Sequence, residues 1–479
     1  MSASLQDQDT ATKDWFKQLF QTYRQGLNGH SNHPMAQFRL AAYEQLDATA
    51  FPTRRDEDWK YSGAPIARMM DTQFHNAAAS NLSEEALAPF RIPGLEAATF
   101  VFVNGNLQDQ WTAFDQLPEG VQVIPVATAM EDEEKRAWME SQVAEAGGTA
   151  QNTFLPLNRA FAQNGFYIEV AANTQASFPI HFLHLSTASE HAHKSHPQLF
   201  VRSRKGSNLS IIESYQAADD AGTYFTNSAN WISVEGNAHL HHYQLQLEGL
   251  KALQVNNTLV RQDRDSVYSS YRLDLGGKVV RNNLSTTLLN SNTETNYYGV
   301  YFGNKQQHID NQTFIDHAVP HCQSNELYKG ILSDYARGVF NGKVMVRQDA
   351  QKTNAFQQNS SLVLSPNAIM DAKPQLEIYA DDVRCSHGAT IGQLDEKSVF
   401  YLRSRGIPEA QARQLLQQAF IGEVIEEMPN DAIREWAQGK LAETLPPSVQ
   451  APTCNYLGSR VARMGGFRSL KMQMLGRAI

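Results

Sequence analysis

Between about residue 165 and residue 390 the chain is a succession of short alternating runs, and no convincing amphipathic helix interrupts them. The clearest runs lie at 208–212, 239–243, 297–301, 342–346 and 361–364. Each ends in Gly, Asn, Asp or Ser, as strands do when successive side chains point to opposite faces and a turn follows. So many short strands can fold as a sandwich, a barrel or a solenoid. Asn-rich turns and few prolines inside the strands lean toward a parallel β-helix, in which stacked coils align like residues in ladders. Solenoid repeats of roughly 20–45 residues would divide the zone into about five to eleven coils, although no exact repeated motif marks them.

Both flanks read as helical. Before residue 165, Trp15, Phe16, Leu19, Phe20 and Tyr23 recur at helical spacing, and Ser83 precedes Glu84 and Glu85 as a capped helix start. One strand is expected at 98–103, closed by the turn Asn104-Gly105. Beyond Leu394, Pro408 suits a first helical turn. Ala412, Leu415, Leu416, Ala419, Phe420 and Val424 then form one apolar stripe. Gly422 inside that helix costs roughly 1 kcal/mol relative to Ala, which suggests a close contact there. A further helix starts at Asn430-Asp431, presents Ile433, Trp436, Ala437 and Leu441 on one face, and stops at Pro446-Pro447. The expected organisation is a helical domain at 1–165, a β-helix core at 166–393, a helical domain at 394–447, and a tail at 448–479 with five basic and no acidic residues.

Composition narrows the function. Hydrophobic residues at 42% can fill a core, whereas a net charge of −9 with no basic stripe before the tail disfavours nucleic acid. Three cysteines, Cys322, Cys385 and Cys454, cannot frame a disulfide scaffold and fit a reducing compartment. The N-terminus lacks the features of a signal or transit peptide, and no apolar run approaches the roughly 20 residues that cross a bilayer. A soluble, cytoplasmic protein is expected. There is no G-x-x-x-x-G-K-[ST] motif, no dinucleotide fingerprint and no C-x-x-C.

The sharpest chemical feature is Cys385-Ser386-His387-Gly388. In an extended segment, Cys385 and His387 project to one side and Ser386 to the other. A thiol beside an imidazole suits iron, zinc or a cluster edge. Two ligands cannot complete a tetrahedral site, so other donors would have to come from elsewhere, plausibly from another chain. The plainer reading is a partly buried cysteine and a hydrogen-bonded histidine at a sheet end. His191, His193 and His196 are expected in a solvated loop, and His239, His241 and His242 on a β-helix face. His317, His321 and Cys322 are expected in a turn, because Pro320 interrupts any helix that would align the two histidines. Asp310 and Asp316 could be nominated as the carboxylate pair of a β-helix carbohydrate-active enzyme.

Linked segments then carry a resemblance. They are Pro52-Thr53-Arg54-Arg55-Asp56-Glu57-Asp58-Trp59-Lys60-Tyr61, Asp349-Ala350-Gln351-Lys352-Thr353, Asp371-Ala372-Lys373-Pro374-Gln375-Leu376-Glu377-Ile378, the stretch from Cys385 to Asp395, and Tyr401-Leu402-Arg403-Ser404-Arg405-Gly406-Ile407. In this order, over about residues 50 to 440, they resemble the SufD family of iron–sulfur cluster assembly subunits. The resemblance implies a mainly β fold: a right-handed parallel β-helix core flanked by N-terminal and C-terminal helical domains. It implies a non-catalytic scaffold that pairs with SufB through the β-helix end and with two copies of the SufC ATPase through the C-terminal helices. The family's Cys and His near the SufB interface map onto Cys385 and His387, and its ATPase-binding surface maps onto Leu416, Phe420 and Val424. No cofactor is expected on the chain alone; an iron–sulfur cluster would reside transiently at the SufB interface, and a homodimer could form without partners. The absence of C-x-x-C favours SufD over SufB. A structural partner of SufB with no ligand role is the alternative reading.

Overall fold

The computed structural model describes residues 5–25, 33–77, 82–146 and 152–445. Strands fall alternately into two sheets as the chain advances. One sheet stacks Gly165–Val170, Gln198–Ser203, Tyr224–Val234, Ala252–Gln262, Val279–Leu288, His308–His317, Arg337–Val346 and Ile369–Ala372. The other stacks Ala98–Val103, Ile180–Ser186, Asn208–Ala217, His239–Leu247, Val267–Asp274, Glu294–Gly303, Gln323–Leu332, Asn354–Val363 and Arg384–Gly392. Neighbours within these stacks pair in parallel, and the chain winds through about eight turns. The fold is a mainly β, parallel β-helix flanked by helices, not a sandwich or barrel.

The corners explain the Asn-rich turns. Asn173, Asn237, Asp265, Asn292 and Asp334 all sit at positive φ, a conformation that Asn and Asp tolerate better than other residues with a Cβ. Successive corners also bond: Asn292 donates its side-chain amide to Asp265 at 3.1 Å.

Inside, one end of the helix is packed with Phe100, Phe166, Phe182, Leu199 and Val201. Further along, tyrosines fill the lumen at glycine gaps. A Cβ on Gly299 would lie 2.2 Å from the Tyr328 ring, and one on Gly330 would lie 2.0 Å from the Tyr301 ring. Buried polar groups bond across the lumen. Glu213 accepts from His242 at 2.7 Å, Asn230 at 2.7 Å and Gln244 at 3.0 Å, so the carboxylate is satisfied without water.

The helices cover the outer faces. Phe16, Trp59, Ile66, Phe154 and Leu157 pack on Phe225, Leu253, Val255 and Val279 of the first sheet. Arg281 lies 4.2 Å from the Trp59 ring centre and pairs with Asp310 at 2.7 Å. On the second sheet, the helices Glu409–Ile425 and Asp431–Thr444 press Ile421, Val424, Ile425, Ile433 and Trp436 against Tyr243, Leu245, Tyr271 and Val300. Among the described residues no helix is long and apolar enough to cross a membrane. The tail at 448–479 and Cys454 lie outside the described residues.

Candidate functional site at the open end of the β-helix

Arg384–Gly392 is the last strand of its sheet, and Ile369–Ala372 and Gln375–Ile378 close the other. Both sheets therefore end in strands with an unpaired outer edge among the described residues, a template for another chain. Register decides what the final coil presents. Cys385 pairs with Ala355, His387 with Gln357, Ala389 with Asn359 and Ile391 with Ser361. All four of those partners are buried. Cys385 and His387 thus continue the inward columns of the solenoid and sit over the end that no further described strand covers.

Their surroundings differ. Cys385 is half-buried against a small cluster containing Val344, Ala350 and Ala355. Burial pushes its thiol above the ordinary value, against a smaller lowering by the Ala355 backbone, so a metal or a partner's cation is needed to draw out the thiolate. His387 is exposed. The rim carries Ile369, Ile378, Tyr379 and Ile391, all exposed, the kind of apolar surface that marks a protein contact.

Beneath His387 the same column continues through Gln357 to Glu326. Gln357 donates its amide to Glu326 at 3.1 Å, and the Thr313 hydroxyl donates to the other carboxyl oxygen at 2.6 Å. With two neutral donors to set against desolvation, burial pushes the Glu326 carboxyl up to about 7. The Gln357 amide crosses the lumen to the backbone of Gly342, where a Cβ would stand 2.2 Å from its nitrogen. Sequence reasoning missed Gln357 and Glu326, because 30 or more residues separate each from the next and only coil register aligns them with His387.

The C-terminal helices correct one reading. Val424 is fully buried in this chain's own core, so it is not available to a partner. Phe420 and Leu416 are half-buried. Lys329 donates to the Phe420 carbonyl at 2.9 Å, lies 4.8 Å from its ring centre and pairs with Glu423. The helix turns Ile421, Val424 and Ile425 inward and leaves Leu415 at 41% exposure, while Phe400 at 71% and Tyr401 at 49% stand out from the preceding helix Glu396–Ser404.

Other candidates resolve as follows. His193 and His196 are buried, not in a solvated loop, because His193–Ser195 pairs as a strand with both His75–Asn76 and Tyr224–Val234. His242 belongs to the lumen. His317 bonds to Ser324 at 2.9 Å, and His321 follows at positive φ in a turn. Asp310 and Asp316 lie six residues apart on one strand, about 20 Å at strand rise, too far for a glycosidase pair at roughly 5–9.5 Å. Each also has a cation of its own, Arg281 for Asp310 and Arg347 for Asp316. Among the described residues no three His, Cys, Asp or Glu side chains gather as a metal site. Cys385 and His387 are at most half of one.

Comparison with known proteins matches residues 184–420 to the family model described as SUF system FeS cluster assembly, SufBD core domain. Residues 10–182 match the SufBD protein N-terminal region. The chain is 31% identical over 449 residues to the iron-sulfur cluster assembly protein SufD of Escherichia coli, covering 93% of this chain and 99% of that protein. An iron-sulfur cluster assembly SufBD family protein of Synechocystis is 32% identical over 427 residues, covering 87% of this chain and 92% of the relative. The chloroplastic protein ABCI7 of Arabidopsis thaliana is 29% identical over 449 residues, covering 91% and 92% respectively.

Proposed function

This chain belongs to the SufBD family of iron–sulfur cluster assembly proteins, and from that membership we propose that it is a non-catalytic scaffold subunit of a SufBCD-type complex. Its β-helix end pairs with a SufB-type subunit, and its C-terminal helices receive a SufC-type ATPase. The complex works in a reducing cytoplasm, which suits the unpaired thiols of Cys322 and Cys385.

The single observation behind this reading is the placement of Cys385 and His387 over the open lumen, between two unpaired strand edges. A partner coil that extends both sheets would bury the apolar rim and bring its own donors opposite the thiol and the imidazole. Closing the end also excludes water, and the bound metal would then draw the proton from a thiol that burial has made weakly acidic. The nascent cluster is cargo there, held between subunits. Phe400 and Tyr401 on the helix Glu396–Ser404 and Leu415 on the helix that follows it, together with the half-buried Leu416 and Phe420, supply the apolar contact for the ATPase. Lys329 and the apolar core of Ile421, Val424 and Ile425 tie that helix to the β-helix, so a pull on the helix reaches the coil wall.

The test is to replace His387 by Ala in the co-expressed complex and follow cluster formation by its visible absorption. Assembly falls while the subunits still co-purify. Unchanged assembly would leave this chain as a structural partner with no ligand role.

A further inference from the structure

A buried cluster far along the chain from Cys385 has unmet bonding needs. Lys194 is only 4% exposed. Its ammonium donates to the side-chain oxygen of Asn76 and lies 4.9 Å from the Phe161 ring centre, yet it makes no ion pair with a carboxylate among the described residues. Burial alone lowers its pKa to about 8, so most molecules carry the charge at neutral pH. Beside it His196 is buried between Phe161 and Phe225, and neither of its ring nitrogens has a hydrogen-bond partner among the described residues. Burial first, and the Lys194 charge second, keep that ring neutral. A neutral imidazole still carries one N–H.

Both side chains line one cavity of about 10 Å³, with Asn76, Gln163, Asn164 and Ser195 also in its wall and no acidic residue among the described residues that line it. That space is about one water-sized sphere. An unpaired buried charge costs several kcal/mol and an unsatisfied buried donor about 1–3 kcal/mol, so each such group in a native fold calls for a bound water or ion. A water could take the N–H bonds but would leave the positive charge uncompensated. A carboxylate or phosphate would compensate the charge but needs several times that space, whereas a near-spherical monovalent anion exceeds a water by only about half an ångström in radius.

We propose that Lys194 and His196 hold a small monovalent anion of chloride or hydrosulfide size in this cavity. The ammonium supplies charge and N–H donors, the imidazole adds one more N–H, and the Phe161 ring keeps bulk water from the ammonium. This site stands apart from the scaffold reading and does not depend on it.

The test uses the full wild-type chain. Crystals grown in bromide should show an anomalous peak within hydrogen-bond distance of the Lys194 Nζ. In solution, stability at fixed ionic strength should rise with chloride, bromide or hydrosulfide as one-site binding requires, but not with sulfate, which is too large. Lys194→Met, close in length and uncharged, should weaken that dependence at least about tenfold, in line with the loss of a charge-assisted hydrogen bond. Stronger stabilisation by hydrosulfide than by chloride assigns the site to sulfide, and the reverse order assigns it to halide. A water alone in the bromide crystals, with equal stability in all the salts, overturns the proposal without reference to the variant.

Discussion

Glu326→Gln tests the lumen beneath His387 most directly. The carboxyl is buried, has the Thr313 hydroxyl and the Gln357 amide as donors, and is pushed by desolvation from the ordinary 4.5 up to about 7. The unfolded chain releases this proton near 4.5, whereas the folded chain retains it to near 7. Between those values the folded state binds more protons, so stability falls as pH rises through the window and levels off above it. At about 1.36 kcal/mol per pH unit the gap amounts to about 3 kcal/mol. Glutamine keeps the shape and an acceptor for Thr313 but has no proton to lose. Urea unfolding of both proteins at pH 5, 6, 7 and 8 isolates this contribution. Glu248, pushed by burial up to about 8, and Asp274, pushed up to about 6, are present in both proteins and cancel. Relative to wild type, the variant should gain about 2.5 kcal/mol between pH 5 and pH 8, because at pH 5 the unfolded carboxyl is already largely ionised. Parallel stability curves would refute the reasoning.

Other perturbations separate packing from partner contact. Gly330→Ala places a Cβ 2.0 Å from the Tyr301 ring, displacing a side chain bonded to Asn359 at 3.1 Å and Ser361 at 2.9 Å; thermal unfolding should register a loss of about 1–3 kcal/mol, and an unchanged midpoint would contradict the inward placement of Tyr301. Ile421→Ala should cost about 2–5 kcal/mol in chemical denaturation, because Ile421 is 2% exposed in the helix–sheet core; a loss below 1 kcal/mol would mean that the helix packs another way. Phe400→Glu combined with Leu415→Glu should leave stability within about 0.5 kcal/mol per site but abolish retention of a co-expressed SufC-type ATPase on the tagged chain, and full retention would exclude this face as the docking surface.

Some of this was legible residue by residue. Ser83 caps the short helix Glu84–Leu87, and Ala98–Val103 is a strand closed by Asn104 and Gly105 at positive φ. The alternating runs are strands, and the Asn and Asp residues between them turn the coils. Each of these readings depends on a few neighbouring residues and on an intrinsic backbone or side-chain preference.

The C-terminal helix shows where such reading stops. Its apolar residues lie on more than one face, so periodicity alone could join Leu416, Phe420 and Val424, whereas packing selected Ile421, Val424 and Ile425. The histidines near 193 looked solvated from their polar neighbours, yet strand pairing on both sides buries His193. Local chemistry therefore determined the strands, turns, caps and the side-by-side projection of Cys385 and His387. Coil register and helix docking decided that Glu326 and Gln357 lie below His387, that Val424 is core, and that Lys194 meets His196. The reason is physical: alternation and capping arise within a few residues, while register and burial minimise the free energy of whole coils packed against one another, and no short segment contains that sum.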